Sequence, residues 1–414
     1  MTSILETQVT ALLASELGRA PTAAEIANGM ISPWILSQIH NDLNVGSSQL
    51  TLSPGDDIQS AVDSMSSNGA GTLQLSPGTY NVSTDIVLPS SVVITGIGPG
   101  VVIDFGSGAH QIQMKGSNAY ATGTLSVTQG STSVTGSGTT WTNGMVGQSI
   151  LLEDFWYTVA SVGSATSITL DSSYRGTTLS GSTYVIADII SNSGISNVTL
   201  QNSSVALVSS QYGDSCFVSD VVMDSGLLGV ESLDSSGFQV LNSFTTGCGS
   251  GVSINNSHFG TYTNSNNVGN SPNGGNSFVN SRNWTLSAFG SQGCTGNGLS
   301  LQGCSNVGIE NFAIRQIDGI GIEFVSGNSD IGVLDGDIEY CTSDAIKITG
   351  STDGIVIGTA NTIRNNTGWG VNIANANCDT NIVIGNSFSN NTAGNVTDSG
   401  TGTLIRSNGG VADN

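Results

Sequence analysis

The sequence predicts an all-β fold, most of it a right-handed parallel β-helix that winds three short strands into each coil. Three observations predict it: a repeat close to 24 residues, regularly spaced Val and Ile, and 56 Gly among 414 residues. Only 9% of the residues are charged, which is typical of a folded chain rather than a disordered one. Small residues suit the tight turns that stacked short strands require.

The repeat is clearest in the second half of the chain. One strand motif, written Gly-Val-x-Ile, recurs at steps of 22, 47, 23, 24 and 25 residues. It starts at Gly229, Gly251, Gly298, Gly321, Ala345 and Gly370. The step of 47 predicts two coils, the middle one near 270–280. A second motif starts out of phase, at Val198, Phe238, Trp284, Val307, Ile331, Ile355 and Ile382. A leucine-rich repeat would need its own consensus, and a propeller would need about 40 residues per blade.

Turn residues and a third strand complete each predicted coil. The position four residues after the start of the second motif is polar in all copies but one, and we expect a left-handed turn and an Asn ladder there. It reads Asn202, Asn242, Asn311, Asp335, Thr359 and Asn386, with Ala288 as the exception. In the third strand Arg315, Glu339 and Arg364 point outward on successive coils, which predicts favourable cross-strand ion pairs.

Charge and cysteine usage exclude several classes of protein. The formal net charge of −22 disfavours nucleic-acid binding and docking on anionic membranes, although it could recruit Ca²⁺. No run of about 18 apolar residues predicts membrane insertion. The six Cys form no zinc-binding spacing, and steps of 46 and 47 residues place Cys248, Cys294 and Cys341 two coils apart. Two coils span about 10 Å, too far for a disulfide, so we expect small buried hydrophobes.

The chain divides into five predicted segments. Residues 1–45 have helical periodicity with a capping box at 22–25, and both an N-terminal cap and an anchor or oligomerisation segment fit them. Their start lacks the features of a secretory signal. Residues 119–187 alternate with Gly/Ser turns, which predicts an inserted small antiparallel barrel or sandwich. Residues 188–400 carry the regular coils, and 401–414 read as a loose Gly-rich tail.

Residues 46–118 resemble the opening of the pectate-lyase-like β-helix superfamily. The resemblance rests on DDIQSAVD at 56–63, GTLQLSPGTY at 71–80 and VVITGIGPGVVID at 92–104. It implies that the first of these is a short helix that plugs the end of the solenoid. The stretch 128–141 in the insertion resembles small β-modules of phage tail proteins. Trp141, Trp156 and Tyr157 could stack on sugars, but core packing is the favoured interpretation.

In that superfamily the substrate groove follows the Gly-Val-x-Ile strand, which suggests a candidate site here. The outward column of this strand reads Glu231, Ser253, a coil without an assigned residue, Ser300, Glu323, Lys347 and Asn372. The candidate substrate-binding residues are Glu323, Lys347, Trp369 and Asn372. A ladder ion pair between Glu323 and Lys347 is the favoured interpretation of these two neighbours.

Three successive coils are also similar to the polygalacturonase pattern. One Asp of that pattern is present in each of the first two motifs, as Asp318 and Asp344, but Trp369 replaces the family's His and the later basic motif is missing. The resemblance implies catalytic roles for Asp318 and Asp344, since inverting hydrolysis needs two carboxyl groups about 6.5–9.5 Å apart. Ordinary turn chemistry explains the same Asp residues. A lyase would instead use Ca²⁺-bound acids and a basic residue, with Asp337, Asp344 and Lys347 as candidates.

No other catalytic pattern is visible in the sequence. His40, His110 and His258 lie far apart in the repeat and read as structural residues. The features together favour a virion protein similar to phage tailspikes or tail fibres, which recognises a surface polysaccharide and could cleave it. That resemblance implies a homotrimer and contacts with other virion proteins. Two alternatives stay open: a secreted, extracellular hydrolase or lyase, and a non-catalytic capsid decoration protein or adhesin.

Overall fold

The fold is a parallel β-helix, as the sequence predicts, and it carries a small antiparallel sheet. The computed structural model describes residues 48–67, 70–270 and 274–409, so the helices predicted in 1–45 lie outside the described residues. A helix at Ile58–Ser67 buries Ile58, Val62 and Met65 in the same core as the first strands. Among the described residues no helix is long and apolar enough to span a membrane.

Three parallel sheets wind around one continuous apolar core. The first sheet has thirteen strands: Ser48–Leu52, Gly71–Leu75, Val92–Gly96, Gly194–Ser196, Phe217–Ser219, Gln239–Leu241, Thr261–Thr263, Arg282–Ser287, Ser305–Glu310, Ser329–Leu334, Asp353–Ile357, Ile382–Ile384 and Leu404–Arg406. The second sheet comprises Gly78–Asn81, Val101–Gly108, Thr199–Gln211, Val222–Leu233, Phe244–Thr246, Asn266–Val268, Gly290–Gln292, Ala313–Arg315, Asp337–Glu339, Thr362–Arg364 and Ser387–Ser389. The prediction of a loose tail at 401–414 is wrong in part, because Leu404–Arg406 is the last strand of the first sheet.

The third sheet carries the Gly-Val-x-Ile motif. Its strands are Ile86–Val87, Ile112–Lys115, the later parts of Thr199–Gln211 and Val222–Leu233, Ser250–Asn255, Gly274–Val279, Leu299–Gln302, Ile322–Phe324, Ile346–Ile348, Trp369–Ile373 and Gly394–Asp398. A short pair, Ile190–Ser191 with Gly213–Asp214, lies beside the first sheet. The coil that the repeat left without an assigned residue is Gly274–Val279, with Ser277 in the outward column.

Outward charges on the second sheet form the predicted ladder. Arg315, Glu339 and Arg364 are register neighbours. One carboxylate oxygen of Glu339 forms an ion pair with Arg315 Nε at 3.1 Å, and the other accepts a hydrogen bond from Arg364 Nε at 2.9 Å. Arg315 also binds Asp337 at 2.7 Å. The six Cys are buried free thiols, as predicted.

The turn prediction is correct in kind but wrong in several residues. Asn242, Ala288, Asn311 and Asp335 share one left-handed column, with φ of 49–51°. Asn202 belongs instead to the turns that follow the second sheet, and Ala360 rather than Thr359 has positive φ. At the last copy the register shifts by one residue, because Ile382 pairs with Val356 and not with Ile355, and Gly385 rather than Asn386 has positive φ.

Asn386 belongs to a ladder inside the solenoid rather than to the turn surface. It is 2% exposed, accepts from Asn361 Nδ2 at 2.8 Å and donates to Asn408 Oδ1 at 3.1 Å. A second internal ladder joins Asn366 to Asn391 at 2.9 Å. Such ladders satisfy backbone groups that a solenoid turn would otherwise leave unpaired in the core.

Residues 117–188, called the insert here, leave the solenoid after the strand Ile112–Lys115. They form one eight-stranded antiparallel sheet and a 3₁₀ turn at Asn143–Met145. The strands are Ser117–Tyr120, Thr124–Val127, Ser133–Ser137, Ser149–Leu152, Phe155–Ser164, Ser167–Leu170, Leu179–Ser182 and Val185–Asp188. Trp141 and Tyr157 are 2% and 6% exposed in its core, which supports core packing over sugar stacking for these two rings.

Candidate functional site

The outward side chains of the third sheet form an unbroken polar strip along the solenoid. Its members are Ser209, Glu231, Ser253, Ser277, Ser300, Glu323, Lys347, Asn372 and Thr397, each a register neighbour of the next. Successive coils rise by about 4.8 Å, so the strip is roughly 40 Å long. It carries three consecutive serines, Ser253, Ser277 and Ser300, between the charged residues Glu231 and Glu323. A rigid strip of this kind presents regularly spaced polar groups to an extended ligand.

Three of the predicted site residues meet at one end of the strip. Asp344 is 8% exposed, and its carboxylate accepts from the Trp369 backbone N–H at 2.7 Å and from Asn372 Nδ2 at 2.8 Å. The indole of Trp369 lies over Gly394 of the next coil, where a Cβ would overlap the ring. The structure therefore joins Asp344, Trp369 and Asn372 in one hydrogen-bonded unit.

The predicted ion pair between Glu323 and Lys347 is absent from the described residues. The two residues are neighbours in the strip, but Glu323 instead accepts from Asn297 Nδ2 at 2.6 Å. Asn297 Oδ1 in turn accepts from the Ile320 backbone N–H at 3.1 Å. Asn297 thus holds the carboxylate of Glu323 against the preceding turn and leaves the Lys347 ammonium on the strip without that carboxylate as a partner.

Asp318 is exposed, and its hydrogen bond runs to Thr342 rather than to the unit of Asp344, Trp369 and Asn372. One Asp318 carboxylate oxygen accepts from the Thr342 hydroxyl at 3.0 Å, and Asp318 bridges Thr295 of the coil before. The two carboxyl groups differ in environment, because Asp344 is buried with both oxygens hydrogen-bonded and Asp318 faces solvent. Their joint catalytic role stays a prediction.

The donor set for a Ca²⁺ site does not fit in this region. Asp337 is already bound to Arg315, on the second sheet, while Asp344 is committed to Trp369 and Asn372 near the third. Within the ranges that the structure describes, no three His, Cys, Asp or Glu side chains are grouped as metal ligands.

A second polar cluster, which sequence reasoning missed, lies where the insert touches the solenoid. Asp154 sits between the strands Ser149–Leu152 and Phe155–Ser164, and its Oδ1 lies 3.5 Å from His258 Nδ1 and 3.8 Å from Arg282 Nη1. Its other oxygen accepts from Asn283 Nδ2 at 3.0 Å. More than a hundred residues separate Asp154 from these partners, so no local spacing could have revealed the cluster. His258, which the sequence predicted to be isolated, is part of it.

Several solved structures have a fold similar to that of this chain. No protein-family model and no curated protein sequence matches the chain. The tailspike of Escherichia coli bacteriophage HK620, solved in complex with a pentasaccharide, is 14% identical with a TM-score of 0.52, over 86% of this chain and 68% of that one. ORF18 of Geobacillus virus E2 is 12% identical with a TM-score of 0.51, over 94% of this chain and 65% of that one, so the chain spans about two thirds of its length.

An enzyme module has the same architecture. The A-module of the mannuronan C-5 epimerase AlgE4 from Azotobacter vinelandii is 15% identical with a TM-score of 0.50, over 88% of this chain and 98% of that module. At such identities the likeness shows the parallel β-helix and not the activity.

Proposed function

We propose that the protein is a virion component of the tailspike or tail-fibre type that recognises a cell-surface polysaccharide. The observation that carries the proposal is the polar strip of the third sheet, which ends in the unit of Asp344, Trp369 and Asn372. The likeness to a tailspike crystallised with a pentasaccharide supports it. Its location would be the surface of a virion tail or capsid.

The chemistry of the strip suits sugar hydroxyl groups. Serine and threonine hydroxyls both donate and accept, Asn372 offers an amide, and Lys347 offers an ammonium group. Because these groups project from a solenoid, they are pre-ordered, and binding does not require them to be ordered first. The half-buried Trp369 indole adds an apolar surface at the charged end of the strip.

Cleavage by Asp318 and Asp344 belongs to the same proposal. The exposed Asp318 suits a carboxylate that activates water, and the Thr342 hydroxyl donates to it. Asp344 would have to be protonated to act as the acid, and protonation would cost it one of its two accepted hydrogen bonds. That cost favours binding over cleavage as the main use of the strip.

Assembly is part of the proposal as well. A tailspike-like protein is expected to be a homotrimer in contact with other virion proteins, and light scattering on the purified chain would measure its mass. A monomer would favour a secreted enzyme over a virion component.

A glycan screen tests the proposal. The purified chain is incubated with neutral and acidic bacterial and algal polysaccharides; binding is read on a glycan array, chain length by size-exclusion chromatography and unsaturated products by ultraviolet absorbance. The variants are Asp318→Asn and Asp344→Asn. Asp330→Asn, an exposed Asp on the first sheet, is the matched control.

Each outcome decides between the candidate functions. Binding that Asp344→Asn weakens and Asp330→Asn leaves intact supports recognition at the strip. Chain shortening that both site variants abolish adds a hydrolase, whereas a rising ultraviolet signal adds a lyase. Failure to bind any glycan would overturn the proposal in favour of a structural decoration protein.

A further inference from the structure

A cavity beside the cluster of Asp154, His258 and Arg282 lies between the insert and the turns that follow the third sheet, far along the solenoid from Asp344. Its volume is about 610 Å³, within the range usual for small-ligand sites. The insert contributes Glu153, Asp154 and Tyr184, while the solenoid contributes a row of turn residues together with His258 and Arg282. The cavity therefore exists only because the insert docks against the coils.

The floor of the cavity is a ladder of left-handed turn residues. Tyr212, Asp234, Asn256 and Asn280 occupy equivalent turns on four successive coils, with φ of 47–55°. Asn256 Nδ2 donates to Asp234 Oδ1 at 2.6 Å, which fixes both side chains. Adjacent coils are about 4.8 Å apart, so polar groups repeat along the floor at a spacing set by the backbone.

Asp154 and His258 at the cavity carry unsatisfied polar atoms. The His258 side chain is 4% exposed, and neither its Nδ1 nor Asp154 Oδ1 has a hydrogen-bond partner among the described residues, although they face each other at 3.5 Å. Buried polar atoms without partners are rare and costly in native proteins. Both atoms are shielded from solvent, so they mark an incompletely hydrogen-bonded contact between insert and solenoid directly behind the cavity lining, whereas the lining itself offers the turn ladder and Arg282 to a ligand.

The charges around the cavity select the class of ligand. Burial raises the pKa of Glu153, but hydrogen bonds from Thr177 and Tyr174 more than offset this and leave it below its ordinary value. Burial lowers the pKa of His258, so near pH 7 the imidazole is neutral. Glu153, Asp154 and Asp234 then outnumber the single Arg282. A negative site of this kind repels carboxylate and phosphate groups and accepts neutral, hydroxyl-rich ligands.

We infer that this cavity is a second saccharide site, which binds a segment of neutral oligosaccharide along the turn ladder and against Asp154 and His258. The inference rests on the proposed glycan recognition for its ligand class, but it places a site at the insert rather than on the third-sheet strip. Ligand hydroxyls would donate to Asp234 and Asp154 and accept from Asn256, Asn280 and Arg282.

A pair of matched variants isolates the site. Asn256 and Asn264 both have left-handed backbone, with φ of 48° and 49°, and both donate to the turn residue of the preceding coil, at 2.6 Å and 2.9 Å. Glycine adopts this conformation freely, so Asn256→Gly and Asn264→Gly each remove one amide without backbone strain. Only Asn256 lines the cavity.

The probes are neutral glucose, mannose, galactose and N-acetylglucosamine oligosaccharides, with uronate oligosaccharides as the acidic comparison. Calorimetric titration measures Kd for wild type, both Gly variants and Asp344→Asn, and thermal unfolding confirms that each is folded. We expect a neutral oligosaccharide to bind wild type, with Kd raised about tenfold in Asn256→Gly and unchanged in Asn264→Gly and Asp344→Asn.

Other results would overturn the inference in distinguishable ways. An equal loss of oligosaccharide affinity in both Gly variants would mean that the substitutions act on the solenoid in general. Loss of affinity in Asp344→Asn alone, or binding of uronate oligosaccharides only, would overturn the second site. Either result would leave the proposed function standing. If wild type binds no probe and no polysaccharide, both the site and the proposed function fail.

Discussion

The indole of Trp284 lies directly against Gly260 of the preceding coil, where any Cβ would overlap the ring. The same arrangement recurs between register neighbours elsewhere, with Phe217 beside Gly194 and Trp369 beside Gly394. In a stack with fixed spacing, a missing side chain on the adjacent coil gives a large ring room to lie across it.

Gly260→Ala is therefore expected to destabilise the solenoid by about 1–3 kcal/mol, because overpacking forces the ring or the backbone to move. Gly332 provides the control, since a Cβ there meets no atom within 4 Å and neither glycine has positive φ. Gly332→Ala should be neutral or slightly stabilising. Denaturant unfolding of the two variants measures the difference, and equal midpoints would contradict this packing argument.

Breaking the internal Asn ladder is expected to destabilise the protein more than Gly260→Ala does. Asn386→Ala removes the amide that donates to the Ile357 carbonyl and breaks the side-chain hydrogen bonds to Asn361 and Asn408 in the core, at a cost of about 2–4 kcal/mol. Asn390→Gly is the control, because Asn390 is exposed, has φ of 54° and donates only to Asn365. Hydrogen exchange should show that backbone amides lose protection mainly in the C-terminal coils, since each coil contacts only its neighbours. Uniform exchange along the chain would argue against the ladder.

Burial of His258 predicts a pH dependence at the contact between insert and solenoid. Burial lowers the pKa of His258 from its ordinary 6.5; Arg282 acts in the same direction and Asp154 opposes it. The unfolded chain then holds the proton more tightly, so this contribution to stability is complete above about pH 6.5 and is lost as the pH falls.

We expect the unfolding free energy to fall toward pH 5 by up to about 1.4 kcal/mol per pH unit more in wild type than in His258→Asn. Thermal unfolding between pH 7.5 and 5 measures the two slopes. Parallel slopes would show that His258 does not titrate differently in the folded state.

The buried thiols predict resistance to alkylation. Burial raises the pKa of Cys216 to about 11 and that of Cys341 to about 12, so both are fully protonated at pH 8. Maleimide should label these thiols slowly in the native protein and all six after denaturation, as counted by mass spectrometry. Because the folded pKa values are raised, the stability that these thiols contribute is lost as the pH rises from about 9 toward 11. Rapid native labelling would contradict their burial.

Sequence reasoning succeeded where a contact depends only on the length of the repeat. Arg315, Glu339 and Arg364 are each one coil apart, and coils of 24 and 25 residues bring them into register. The position of Asn386 was misassigned because its coil is shifted by one residue, and a pattern without coordinates cannot show such a shift.

The candidate site was only partly predictable, for a different reason. The repeat placed Glu323, Lys347 and Asn372 in one column, but it could not show that Asn297 takes the Glu323 carboxylate. The contact of Asp154 with His258 depends on how the insert docks on the coils, which no repeat encodes.

The stacking of the coils continues past the insert as though no residues had been inserted. Val93 pairs with Gly194 and Ile112 with Val208, while Ser117 and Asp188 pair at the base of the insert, so the chain leaves and returns at one point of the stack. No coil register depends on what lies between these two residues. Evolution can therefore exchange the insert, and with it the residues that it contributes to the adjoining cavity, while the scaffold is inherited unchanged.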